Sequence, residues 1–413
     1  MYTHSKSRCV QVIVWLAIVA LVFPLASASA ERHCHKNGAI TVMTRNLYLG
    51  ADIFRVVEAA FIEDEDGNLV PNEDPTAIPF AVAKVFDIMN RTNFPERAEA
   101  IADEILAARP DVVGLQEVST WYLQHPSEDS PADEDDLYLD FYATLNAALK
   151  ARGLHYKAFF VTNADIEMPM LNEDYSLSDV RLVDHDVILV RKGLKARFAF
   201  ANNYLYNLSM ELGGADIEFT RGYLAVDVNI KGDAYRVVNT HLEVRSSPES
   251  EFRIIQAFQM NELLTLLEGE KRPVILLGDF NSSIEDQPFQ SDPYGLIVPP
   301  YWQAVYSEYA DAWLLQDIYD EGYTSGFDET VSNPNAELTT RIDLVFLKAY
   351  RLRVKHVLAE VVGNEIEDMT ESKLWPSDHA GVVAKIKFCN PNISPRPPFK
   401  GHSFGGMDWP FSP

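Results

Sequence analysis

Eight short apolar runs punctuate this sequence, and polar side chains able to do chemistry stand at or beside the ends of most of them. The runs are 39–47, 111–116, 186–191, 222–230, 235–240, 273–278, 341–347 and 380–388. Each has the length and apolar content of a buried strand. Stretches with helical spacing lie between them. The clearest is 95–109, with Pro95 in the first turn and Ile101, Ile105 and Leu106 on one face; 136–152 and 250–268 follow. Strands and helices mixed along the whole length predict one large α/β domain. There is no repeat of about 20–50 residues, which excludes solenoids and propellers. Residues 63–79 and 126–136 are acidic and contain Pro, so they read as solvated loops.

The run ends share a chemical theme. TRNLYLG carries Asn46 and LQEV carries Glu117. THLE carries His241, and GDFNS carries Asp279 and Asn281. RIDLVF carries Asp343, and SDHAGV carries Asp378 and His379. Singly, each is an ordinary cap, turn residue or strand-end ion pair. Together they match what phosphodiester cleavage requires: neutralised phosphate oxygens, an activated in-line water and a stabilised leaving oxygen. A hard cation such as Mg²⁺ takes oxygen ligands and keeps several waters, so Glu117 and Asn46 are suited to hold one. Asp279 is suited to orient or deprotonate the water. Asn281, two residues on, faces the same way in an extended segment and can hold the water or the phosphate.

The ordered set LQEV (115–118), THLE (240–243), GDFNS (278–282), RIDLVF (341–346) and SDHAGV (377–382) resembles the endonuclease/exonuclease/phosphatase superfamily. That superfamily includes deoxyribonuclease-like nucleases, inositol polyphosphate phosphatases and neutral sphingomyelinases. The resemblance spans residues 39–388 and implies a four-layer α-β-β-α sandwich, two central mixed β-sheets flanked by helices. It implies that Asp343 orients His379 as an imidazolium facing the phosphate, that Asp378 is a second metal ligand, and that His241 stabilises the phosphate or protonates the leaving oxygen. In some members a further acid orients this histidine, and Asp165 and Glu167 in VTNADIEMP are the local candidates. Residues 51–94 look like an insertion relative to compact members.

The start of the chain is expected to be removed. Lys6 and Arg8 precede an apolar run from Val10 to Leu25, and Ala28-Ser29-Ala30 supplies a small-residue cleavage pattern, giving a signal peptide over 1–30. A catalytic domain over 31–389 and a Pro-rich tail over 390–413, with six Pro, complete the expected organisation. No later run is long and apolar enough to span a membrane, so the mature chain is expected to be secreted. Cys9 falls in the leader, which leaves Cys34 and Cys389 flanking the domain as an expected disulfide.

Charge ranks the substrates. The chain has 61 Asp and Glu against 35 Lys and Arg, net −26. Cleavage after Ala30 takes away one Lys and one Arg and no acid, leaving 33 basic residues and net −28. Such a surface does not coat nucleic acid non-specifically. Arg245, Arg253, Lys271 and Arg272 are only scattered candidates for a basic strip. Tyr294, Tyr301, Trp302, Tyr306, Tyr309, Trp313 and Tyr323 pack a core or form a platform suited to a membrane interface. Walker loops, GxSxG elbows and HExxH are absent, which removes nucleotide-driven, serine-hydrolase and zincin readings.

The expectation is a monomeric, Mg²⁺-dependent phosphoester hydrolase, with Mn²⁺ or Ca²⁺ as alternatives, acting on a phospholipid headgroup or other small phosphoester. A secreted deoxyribonuclease-like endonuclease and an inactive extracellular binding module are the competing readings.

Overall fold

The computed structural model describes residues 35–64, 67–245, 250–316 and 320–390. The expected leader, Cys34 and residues 391–413 of the expected tail lie outside them. The first sheet is entered by β1 (His35–Asn46), β2 (Val112–Gln116), β3 (Thr120–Gln124), β4 (Leu137–Asp140), β5 (Tyr156–Leu171) and β6 (Leu177–Arg191). The second takes β7 (Lys195–Asn203), β8 (Gly222–Ile230), β9 (Asp233–His241), β10 (Val274–Asp279), β11 (Ala310–Asp311) and β12 (Asp343–Lys348). The chain returns to the first sheet with β13 (Arg353–Val362) and β14 (Gly381–Asn390). Spatial order is β13-β14-β1-β2-β6-β3-β4 in the first sheet, with β5 along β6, and β11-β12-β10-β9-β8-β7 in the second.

Alternation along each strand sends side chains to two different cores. Val42, Ile188, Val190, Leu224, Val226 and Leu277 meet between the sheets. Their neighbours Met43, Val187 and Leu189 face outward, onto α2 (Ala77–Arg91), α3 (Phe94–Ala108) and α4 (Phe141–Ala151). On the far side, Leu276 and Phe346 pack with Met260 and Leu263 of α5 (Glu251–Leu266) and Tyr301 of α6 (Pro300–Tyr306). The result is the expected four-layer sandwich, and Asn37–Cys389 holds together as one compact unit. Among the described residues no helix is long and apolar enough to cross a membrane.

Two local readings change. The helix expected over 136–152 begins at Phe141, because Leu137–Asp140 pairs with β3 as an edge strand and the Asp140 side chain accepts Ala143 N at 2.8 Å as the helix cap. The loop expected over 63–79 contains a strand, Leu69–Pro71, and the start of a helix at Ala77. Residues 51–94 form α1 (Phe54–Ala59), a hairpin of Phe61–Glu63 with Leu69–Pro71, and α2, whose Val82, Val85, Phe86 and Met89 are buried on the first sheet.

Register and one glycine align the two sheets. Gln116 Nε2 donates to Asn239 Oδ1 at 2.6 Å, and Asn239 Nδ2 donates back to the Leu115 and Val187 carbonyls at 2.9 and 3.2 Å. Gly114 stands where the second sheet lies close against the first: a Cβ there would lie 2.0 Å from Leu277 Cδ1 and 2.6 Å from Asn239 Oδ1. Asn239 cannot move aside without leaving buried carbonyls unpaired. Gly114→Ala is therefore expected to destabilise the fold by about 1–3 kcal/mol, the cost of overpacking a tight core. Urea unfolding checks it, and an unchanged midpoint would contradict this account of the sheet contact.

Candidate active site

Strand register alone gathers the polar ends. Asn46 ends β1 opposite Gln116 in a parallel pair, so Glu117 stands one residue beyond. In the second sheet His241 is paired with Asp279, and Asp279 with Asp343, across three adjacent strands. His379 is brought in by a bridge to Ser325 just before β14. Several of these residues sit in the left-handed region that non-glycine residues avoid: Tyr48 (φ 57°), Glu117 (φ 55°) and Asn281 (φ 48°). Such conformations persist where surrounding structure over-determines them, and they cluster at functional sites. Gly278 is required as well, since a Cβ there would lie 1.9 Å from the Thr240 carbonyl oxygen.

The contacts join the two sheets. Asn46 Nδ2 donates to Glu117 Oε1 at 2.9 Å and to Asp279 Oδ2 at 3.2 Å, while its Oδ1 accepts Tyr48 N. Glu117 Oε2 accepts Leu49 N at 2.8 Å. Asp279 Oδ1 accepts Asn281 N at 2.9 Å, which leaves Oδ2 facing both histidines, 3.5 Å from His241 Nε2 and 3.7 Å from His379 Nδ1. His379 Nδ1 donates to Asp343 Oδ2 at 2.8 Å, so this expected pair is formed. Asp343 Oδ1 is buried without a hydrogen-bond partner.

The two histidines are set oppositely. Burial lowers the His379 pKa, but Asp343, Asp378 and Asp279 outweigh it and hold the ring protonated well above the ordinary value. His241 is pushed well below, by burial first and then by Arg221 and His379. The neutral ring is therefore the favoured form. Arg221 brings the positive charge instead: its Nη1 lies 3.1 Å from His241 Nδ1, and its Nη2 3.4 Å from Glu243 Oε1.

Neither acid proposed to orient His241 does so. Asp165 is bound by both Arg181 Nε and Nη2 at 2.7 Å, and Glu167 accepts Ala132 N. They pair with residues of β6 and the loop before β4, and the side chains turned toward Arg221 from β6 are Asp184 and Asp186. Sequence reasoning missed Arg221, which immediately precedes a recognised strand, and both acids, which interrupt the apolar alternation of VDHDVILV. It also missed Arg97, fully buried on α3, which donates to the carbonyls of Thr92, Leu47, Pro376 and Tyr48 and so fixes the segments beside Asn46 and Asp378.

The donor set fits a divalent cation. Burial, then the neighbouring Asp378, raises Glu117 to about 7, and burial, then Asp343, raises Asp279 to about 7. Bound positive charge would relieve this crowding. Asp279, Asp343 and His379 have ligand atoms within 4.8 Å of one another. His379 Nδ1 is nevertheless engaged by Asp343 as a protonated donor and has no lone pair to offer. Beside this cluster stand the expected oxygen donors: Asn46 and Glu117, joined at 2.9 Å, and Asp378, close enough to raise the Glu117 pKa.

The motifs and their family agree. The chain matches the Endonuclease/Exonuclease/phosphatase family over residues 89–379. It belongs to that family. Solved structures with similar folds include an endonuclease/exonuclease/phosphatase from Beutenbergia cavernae, 21% identical over 86% of this chain and 73% of that one, TM-score 0.49. A family protein from Leptotrichia buccalis is 16% identical over 84% and 99%, TM-score 0.48. Truncated TDP2 from Caenorhabditis elegans is 16% identical over 85% and 98%, TM-score 0.44. No curated protein matches the chain. As a family member it is a hydrolase of phosphoester or nucleic-acid substrates whose acidic cluster suits a divalent metal.

Two expectations follow for solution behaviour. Metal uptake requires ionised carboxylates, so affinity should fall below pH 7 by about tenfold per pH unit for each proton displaced. Calorimetry in buffers of different ionisation enthalpy should register proton release near pH 6 and little at pH 8; equal release at both would contradict it. Replacing Asp343 by Asn removes a carboxylate that keeps His379 charged, so the alkaline limb of kcat/KM should move to lower pH. An unmoved limb would separate His379 protonation from catalysis.

Proposed function

We propose that this chain is a secreted, Mg²⁺-dependent phosphodiesterase acting on a phospholipid headgroup or another small phosphoester. The observation that carries the substrate preference is the fate of the scattered cations. Arg245 and Arg253 both pair with Asp286, and Arg272 pairs with Glu270 and Asp227, so these arginines do not offer a free basic strip to a nucleic-acid backbone. At the strand ends themselves, Arg221 and His379 carry the positive charge. That suits one phosphate group rather than a polyanion.

The metal supplies charge neutralisation and a polarised water. The chain supplies position and proton handling. Asp279, with a pKa of about 7, is matched to take a proton from the attacking water near neutral pH. Asn281 lies against His241 and the Leu242 carbonyl, 3.3 and 3.1 Å from its Nδ2, and fixes that wall of the site. Charged His379 is suited to face the phosphate and stabilise the charge that develops as the bond breaks, while Arg221 brings a second positive charge against His241. The aromatic stretch divides: Tyr301, Tyr309 and Trp313 are core, whereas Tyr294 and Tyr306 are exposed and available to a lipid surface.

Export also motivates the Cys34–Cys389 bridge. Closing so long a loop would contribute about 4–5 kcal/mol on an entropic account.

A parallel assay of sphingomyelin, phosphatidylcholine, inositol phosphates, RNA and plasmid DNA, with Mg²⁺ and with chelator, decides the substrate. Headgroup release that chelator abolishes is expected, and Glu117→Gln or His379→Ala should remove it from a protein that still folds. Cleavage of plasmid alone would overturn the preference in favour of the nuclease. No turnover of any phosphoester would leave a binding module.

A further inference from the structure

His379 enters the site from the loop before β14, so where its ring stands depends on how that loop is held. The second sheet holds the ring: Nδ1 donates to Asp343 Oδ2 on β12 at 2.8 Å. The first sheet holds the main chain. Arg45, on β1 one residue before Asn46, is fully buried, and its Nη1 donates to the His379 carbonyl oxygen. Its Nη2 donates to Glu104 Oε1 on α3 at 2.9 Å. The His379 amide donates to Ser377 Oγ at 3.2 Å, and the Ala380 amide to the Thr324 carbonyl at 2.7 Å. The main chain of His379 is thus tied on both sides of its Cα, and the tie to its carbonyl is a charged side chain.

Space is left for the Arg45–Glu104 pair on two sides. A Cβ at Gly363 (φ 78°) would lie 2.7 Å from Arg45 Nη2 and 2.4 Å from Glu104 Oε1. One at Gly381 would lie 3.1 Å from Arg45 Cδ. Glycine adopts the conformation at 363 without strain and keeps that side open. Stability does not account for the pair. Two charges taken out of water lose hydration that their mutual attraction hardly restores, and well-packed apolar side chains of similar volume are often as stable. Among the described residues Arg45 Nε and Glu104 Oε2 are buried without a hydrogen-bond partner, so the pair is not even fully satisfied. What apolar side chains cannot do is donate to the His379 carbonyl. A guanidinium does so while its fixed fork also grips a carboxylate.

We propose that Arg45, braced by Glu104, is a positioning residue of the hydrolysis: it fixes the His379 main chain so that the imidazole stands where the phosphate will be. The kinetic consequence rests on the reading above, in which His379 is suited to face the phosphate; the placement of the ring does not. Arg45 acts through His379 and not on the substrate. Because the ring is held from β12 and its backbone from β1 and α3, His379 spans the two sheets, and loosening either hold lets it leave the geometry that the reaction needs.

The test uses the full chain with Arg45→Met and Glu104→Leu together, which replaces the pair by apolar side chains of similar size. Urea unfolding is expected to give a near-native midpoint. With Mg²⁺ and bis(p-nitrophenyl) phosphate as the phosphodiester probe, kcat is expected to fall about tenfold to a hundredfold while KM hardly moves, the mark of a displaced group that works in the transition state. Arg45→Lys keeps a charge opposite Glu104 but gives up the fork, so it should lose kcat in the same way and reports even if the double variant fails to fold. The second readout is the downfield proton resonance of His379 Nδ1–H, assigned by its loss in His379→Ala and recorded without metal at one fixed pH. It is expected to move or broaden in both variants. An unmoved resonance in a folded variant overturns the proposal, and so does a native kcat. If the unsubstituted chain turns over no phosphodiester, the phosphodiesterase reading falls, and a moved resonance still supports Arg45 as the residue that places His379.

Discussion

The site depends on burying more negative charge than the chain's own cations neutralise. Glu117, Asp279, Asp343 and Asp378 lie at one rim, and Asp184, Asp186 and Glu243 stand close behind. Against them are set Arg97, Arg221 and the protonated His379. Left uncompensated, each buried carboxylate would cost several kcal/mol or take up a proton. The shifts of Glu117 and Asp279 to about 7 express that crowding. Much of the surrounding architecture follows from managing this excess. Arg97 is spent on four carbonyls that hold two loops, and the sandwich must stay rigid so that like charges cannot separate.

The sequence exposes this arrangement unevenly. Residues at strand ends in contiguous motifs were legible, because the period of a strand places them on one rim whatever the loops do. Asn46, Glu117, Asp279 and Asp343 meet for that reason, and His379 reaches Asp343 as the resemblance implied. Residues acting from inside an apolar run were not legible. Asp184 and Asp186 read as polar interruptions of a strand, and only the neighbouring sheet turns them toward Arg221. Asp165 and Glu167 failed as candidates for a related reason. Their motif stands on β5, where Arg181 and Ala132 N already occupy their carboxylates. Partners in space decide whether an acid is free, and a single sequence carries no record of them.

The fold shows the same division. Central strands such as Val274–Asp279, buried throughout, announce themselves by composition. Residues 51–94 do not, because the acidic, Pro-containing stretch runs into an amphipathic α2 whose buried face appears only once the first sheet is there to receive it.

A chain of net −26 that handles phosphate needs its attraction to be local. At physiological ionic strength, charges farther apart than about 8 Å are largely screened, so the surface acids weigh little against cations in direct contact with the substrate. They do weigh on what approaches. Long-range steering disfavours a polyanion, and a small phosphoester or a zwitterionic headgroup pays less of that repulsion. Burial therefore matters most for the groups that meet the phosphate itself, because a low-dielectric site strengthens Arg221 and His379 where the surface field is screened.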